Sequence, residues 1–198
     1  TDIWSSQAKN RGGALQLKAQ DSESSRSRRL SRYFLFQAKK TGRPVLVEKL
    51  PINNFRVGLI AEAFPDARFI HIYRNGLEVA RSIAERDRQN GWFRENEYRW
   101  GLLVDYASEA PKTSTLPGLV DTPYEKGLLE WRLSTEAAVQ SLSKMPEESF
   151  IEVSYSDFVA NPVDSIDEVL DFFGLNPDQE VHQFAGTEIR RQSSPITR

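Results

Sequence analysis

The sequence predicts an α/β fold, a parallel sheet flanked by helices. Two runs carry that prediction. Val45-Leu46-Val47 is short, apolar and β-branched, and it ends at Glu48-Lys49. Ala67 to Tyr73 is a second such run, and it ends at Arg74-Asn75-Gly76. Each is followed by a helix-like stretch. Uninterrupted apolar strands alternating with helices are the pattern of a parallel sheet covered on both faces. Ligands of such sheets sit at the carboxyl ends of the strands. Glu48, Lys49 and Arg74 all fall at that edge.

Length and composition bound the rest. The 198 residues fit one domain spanning 1–198. Hydrophobic residues make up 39% and charged residues 27%, a soluble globular composition. No apolar run approaches the roughly 20 residues of a membrane helix. The net charge of −2 gives no global reason to expect nucleic acid. There is no Cys, which excludes disulfides, thiolate metal sites and a Cys nucleophile, and fits a reducing cytoplasm. No His/Asp/Glu cluster has metal-ligand spacing. No signal peptide is visible at Thr1, and the absence of an initiator Met points to sequence upstream. The sequence does not specify an oligomeric state.

Ser24 to Lys40 reads as a helix, with Leu30, Tyr33, Phe34 and Ala38 on one apolar face and Gly42 as its C-cap. Arg26, Arg28, Arg29 and Arg32 cluster near its start, where the helix dipole disfavours cations. They read either as a solvated face or as an answer to an anion or acidic partner. After the first strand, Asn53-Asn54 can cap a helix from about Phe55 to Phe64. Pro65-Asp66 turns into the second strand, and Asn75 caps the next helix, whose buried face is Val79, Ala80, Ile83 and Ala84. Gly91 interrupts the pattern, and 92–107 holds a short helix. Pro111 to Pro123 is a loop, and Tyr124 to Ser143 a long helix. Phe150 to Val153 is a third strand, Asn161-Pro162 opens a helix ended by Gly174, and Pro177 to Phe184 adds a short one. Glu147 to Glu180 carries ten acids and no Lys or Arg.

Glu48-Lys49 after a strand, Pro51, a helix ending Ala63-Phe64-Pro65, and then Ala67-Arg68-Phe69-Ile70-His71-Ile72-Tyr73-Arg74-Asn75 resemble the sulfotransferase family. The likeness is close over Val45 to Ala84 and looser over Trp131 to Leu175. It implies a P-loop-type α/β fold and a donor, 3'-phosphoadenosine-5'-phosphosulfate (PAPS), leaving 3'-phosphoadenosine-5'-phosphate (PAP). It implies an Arg at a strand end and a Ser on the next helix for the donor's 3'-phosphate. Here these are Arg74 and Ser82, eight positions apart as in the family. A planar guanidinium suits phosphate, whereas Ser on a helix is ordinarily just exposed.

In-line sulfuryl transfer needs a base at the acceptor oxygen and cations to offset charge. In the branch of the family that reads Glu-Lys, the Glu is the proposed base, so Glu48 takes that role. Lys49 orients groups or neutralises charge. A surface Glu-Lys pair is the alternative. Tyr155, opening Tyr-Ser-Asp-Phe, resembles the family's Tyr-Glu-Asp-Leu segment, whose Tyr lies near the adenine; an ordinary aromatic at a strand–helix junction is equally compatible. Arg190 and Arg191 stand where the family often closes a loop on the 3'-phosphate. His71 reads as a core histidine, and His182 has no partner signal.

One departure stands against these matches. The family's phosphate-binding loop, of the type Pro-Arg-Ser-Gly-Thr-Thr, does not precede Val45, and Gly12-Gly13 lacks its strand and hydroxyls. The expectation is a sulfotransferase fold whose first βα unit lies outside this sequence. The acceptor would be a hydroxyl or amine of a small molecule, lipid or sugar. A non-catalytic nucleotide-binding or interaction module is the first rival. Another P-loop fold, such as a nucleoside kinase, is the second, but it would want a Walker Lys and a magnesium carboxylate that are not seen.

Overall fold

The computed structural model describes residues 14–22, 24–42, 45–93 and 98–189. They fall into two compact units. Unit one is built from the described parts of Thr1–Ala67 and Asn75–Lys144, and unit two from those of Arg68–Arg74 and Met145–Arg198.

Unit one is helical: α1 (Ser24–Thr41), α2 (Val57–Ala63), α3 (Gly76–Asn90), α4 (Tyr98–Ser108) and α5 (Pro123–Leu142). Its larger core gathers Phe55, Ile83, Phe93, Leu103, Leu129 and Leu133. A smaller one joins Leu17, Leu30 and Leu59. Helix α3 lies tightly on α5. A Cβ on Gly76 would come within 2.5 Å of the Trp131 ring, so only glycine fits there. Asn75 starts α3 as predicted: its side-chain oxygen accepts from the backbone N–H of Leu77 at 2.9 Å and of Glu78 at 3.4 Å. Thr122 and Glu125 form a capping box at the start of α5. Gly42 and Gly91 follow α1 and α3 with φ of 64° and 67°, the left-handed cap.

Unit two holds the sheet. Strands β1 (Phe69–Tyr73) and β2 (Phe150–Ser154) pair in parallel, with His71 opposite Glu152 and Tyr73 opposite Ser154. Parallel neighbours need a long crossover, and here residues 75–149 supply it. Helices α6 (Tyr155–Ala160), α7 (Pro162–Phe173) and α8 (Gln179–Glu188) follow β2. The fold class is therefore α/β, with a two-stranded parallel sheet and flanking helices.

Four expectations are corrected. Residues 45–50 form no strand, and Val47 is 79% exposed. A strand is made by its ladder, and among the described residues β1 and β2 pair only with each other. Asn53 and Asn54 do not cap a helix: they lie inside a 3-10 turn, Pro51–Phe55, and α2 begins at Val57. The sheet is not covered along its whole length, because Ile72 and Tyr73 are exposed. Tyr33 also lies outside the buried face of α1, at 46% exposure. Among the described residues no helix is long and apolar enough to cross a membrane.

Candidate functional site

In unit two, the parallel register brings the carboxyl ends of β1 and β2 to one edge. Tyr73 and Ser154 are the last ladder partners, so the next residues, Arg74 and Tyr155, emerge side by side. The Arg74 guanidinium lies over the Tyr155 ring, 4.4 Å from its centre. Such a cation–π stack contributes about 0.5–2 kcal/mol, more as water is excluded. Phosphate recognition by a guanidinium uses its in-plane N–H groups, which a cation–π contact does not require. Ser154 begins α6 by accepting from the Asp157 N–H at 3.4 Å, which fixes the turn on which Tyr155 stands.

His71 is buried, at 7% exposure, and its Nδ1 lies 2.9 Å from Glu152 Oε1. It is a buried histidine paired across the sheet. The structure also gives His182 a partner that the sequence did not show: its Nε2 lies 2.5 Å from Asp167 Oδ1, joining α8 to α7.

In unit one, Glu48 and Lys49 are exposed on the irregular segment 45–50. A local contact holds Glu48. Asn53 Nδ2 donates to Glu48 Oε2 from the 3-10 turn five residues on. Asn53 thus serves as a turn residue that holds Glu48 and not as the expected helix cap. An Asn following Pro51 could have marked a turn that folds back on the preceding carboxylate. Ser82 is exposed on α3, about two turns beyond its Asn75 cap. Arg190 and Arg191 lie outside the described residues.

A second cluster in unit one also escaped the sequence reading. Glu130 on α5 is buried and accepts from Trp92 Nε1 at 3.0 Å and from Arg99 Nε at 3.2 Å. Arg99 also stacks on the Trp92 ring, 4.2 Å from its centre. A buried carboxylate is tolerated only when paired in this way, and the cluster braces α5. Burial, with Glu109 and Glu136 nearby, raises the Tyr106 pKa above its usual range. Backbone N–H bonds from Thr122 and Asp121 lower that of Glu125. Among the described residues no group of three His, Asp or Glu side chains could hold a metal ion.

Unit two thus carries a cationic and aromatic strand edge, and unit one a tethered, exposed carboxylate beside a lysine. A protein-family model described as the sulfotransferase family matches residues 6–179, most of the chain. The chain belongs to that family. The match takes in Glu48, Lys49, Arg74, Ser82 and Tyr155, and it ends before Arg190. No curated protein and no solved structure matches it.

Proposed function

We propose that this sulfotransferase-family chain transfers a sulfuryl group from PAPS to a hydroxyl or amine of a small molecule, lipid or sugar. The observation that carries the proposal is Arg74 stacked on Tyr155 at the carboxyl edge of a parallel pair. An anionic purine nucleotide needs a fork-shaped cation for a phosphate and a flat apolar surface for the base, and an Arg and a Tyr at this edge support that reading.

The donor, once bound, supplies the activated sulfuryl group. The chain's own residues do the rest. Arg74 and Ser82 hold the 3'-phosphate, with Arg190 and Arg191 as further cations for it, and Tyr155 borders the adenine. Glu48 takes the proton from the acceptor, which leaves its oxygen or nitrogen able to attack sulfur. Lys49 offsets negative charge next to it. The proton on Glu48 returns to solvent, since the segment is exposed.

Thermal shift tests the nucleotide assignment. PAP should raise the melting temperature more than AMP does, because AMP lacks the 3'-phosphate. Equal stabilisation by both removes Arg74 and Ser82 from the site. One observation favours a non-catalytic reading: Glu48 and Lys49 stand on an irregular segment and not on a strand end. A chain that binds PAP yet shows no turnover with any acceptor would establish that reading.

A further inference from the structure

Helices α1 and α8 each present an outer row of side chains that no core uses. On α1, Arg32, Phe36 and Lys40 follow at i, i+4, i+8, each step rising about 6 Å. On α8, Glu180, Phe184 and Glu188 follow at the same spacing. All of these residues are exposed, Phe36 at 62% and Phe184 at 61%. Each row lies away from the inner face of its helix. On α1 that face holds Leu30 in the smaller core, Phe34 edge-on to Phe64 at 5.2 Å, and Ser31 Oγ, which donates to the Ala63 carbonyl at 3.1 Å. On α8 it holds the buried Ala185 and His182, which pairs with Asp167 on α7.

The two rows are complementary in charge. Helix α1 has six cations and no acid in its 18 residues. The stretch Glu147 to Glu188 has eleven acids and no Lys or Arg. Cations bracket the ring on α1, and carboxylates bracket the ring on α8. A solvated helix face ordinarily mixes both signs. A Phe held in water between charges of one sign is the pattern of an interface. The ring is there to be buried, and the charged rim selects the partner and its direction.

We propose that α1 of one chain docks on α8 of a second copy of this chain. The two helices run antiparallel, with Phe36 against Phe184, Lys40 beside Glu180 and Arg32 beside Glu188. This direction suits the helix dipoles as well as the side chains. It sets the positive N-terminal end of α8 against the negative C-terminal end of α1. The occupant is a second copy because the chain itself carries both halves of the match, at one spacing and with opposite charge. A small anion or an unrelated acidic protein would satisfy the α1 row and leave the α8 row without a role. The inference does not depend on the sulfuryl-transfer reading.

Sedimentation velocity on the whole chain reads the association. Dilution from high to low micromolar should convert a faster species into monomer. Salt at about 1 M, where the Debye length is about 3 Å, should do the same. Phe184→Ala should raise the dissociation constant about tenfold. Charge exchange tests the pairing itself. Glu180→Lys with Glu188→Lys should leave the chain monomeric, and so, separately, should Arg32→Glu with Lys40→Glu. Mixed together, these two variants should associate again, because each then meets the opposite charge on the other. Both should keep the wild-type melting temperature, because the side chains are exposed. A wild-type chain that stays monomeric at every concentration overturns the proposal and leaves the α1 row to a different acidic partner. Association that survives both exchanges overturns it as well, and so does a mixture of the two variants that remains monomeric.

Discussion

Two stretches of this chain end in charged residues after an apolar run, and they have different fates. Ala67 to Tyr73 becomes a strand because β2 pairs with it along all five residues of β1. Its last residue then delivers Arg74 to a fixed place, against Tyr155. Val45 to Val47 has the same composition but no ladder, and it stays irregular and exposed. Glu48 is therefore placed by a side chain, Asn53, and not by backbone pairing. A strand end positions a functional group to within a fraction of an ångström, because each ladder bond constrains the next. A side-chain hydrogen bond on an exposed turn gives a softer hold. The strand edge that carries Arg74 is thus set by backbone pairing, and the proposed base stands on an irregular segment with a local tether.

The largest effect expected of this comparison is on turnover. Glu48→Gln keeps the side-chain shape and can still accept from Asn53, but it cannot take a proton. A general base contributes roughly 10²–10⁴-fold in rate. We expect kcat to fall by that order, with PAP affinity nearly unchanged. Near-normal turnover would show that the softly held carboxylate is not the base, and His71 would be the next residue to test. Loss of PAP affinity together with turnover would mean that Glu48 organises the pocket.

The strand edge should respond in binding and not in rate. Arg74→Ala removes a charged, fork-shaped contact and should cost about 1.5–3 kcal/mol of PAP affinity. Arg74→Lys should recover only part, since an ammonium neither forks nor stacks as well. Unfolding of Arg74→Ala would show that the arginine serves the sheet. The Tyr155 pair sharpens the point. Tyr155→Ala should cost about 0.5–2 kcal/mol of PAP affinity through the lost stack, and Tyr155→Phe much less, because the ring is retained. Equal losses in both variants would shift the contribution from the ring to the hydroxyl.

The sequence made the regular parts legible. The Asn75 cap and the glycines after α1 and α3 follow from local chemistry that needs no distant partner, while β1 and β2 were legible as apolar runs that each found the other as a ladder partner. The failures depended on partners. Whether Val45 to Val47 is a strand depends on a neighbour, and composition does not report one. The Arg74–Tyr155 stack joins residues far apart in the chain through β-pairing, so spacing along the sequence could mark each residue but not their contact. Asn53 was misread for a different reason. Asn serves caps and turns by the same side-chain bond, and only the backbone decides which is made.

The smallest expected effect tests the tether itself. Asn53 has an unusual balance. Its Nδ2 donates to Glu48, while its Oδ1 is buried with no hydrogen-bond partner among the described residues. Flipping the amide would set its oxygen against the carboxylate, so the donor side is committed to Glu48. Asn53→Ala therefore removes one exposed hydrogen bond, worth about 0.5–1.5 kcal/mol, together with a buried unsatisfied oxygen that itself costs about 1–3 kcal/mol. The two roughly cancel in folding, or the balance favours the variant. In function they do not cancel, because only the bond to Glu48 positions the carboxylate. We expect the melting temperature to hold or rise slightly while kcat drops by less than about tenfold, which corresponds to under about 1.4 kcal/mol. A fall in both would make Asn53 a structural residue of the turn. No change in kcat would show that the carboxylate reaches its working position without the tether, and the contrast between the two stretches would then not extend to catalysis.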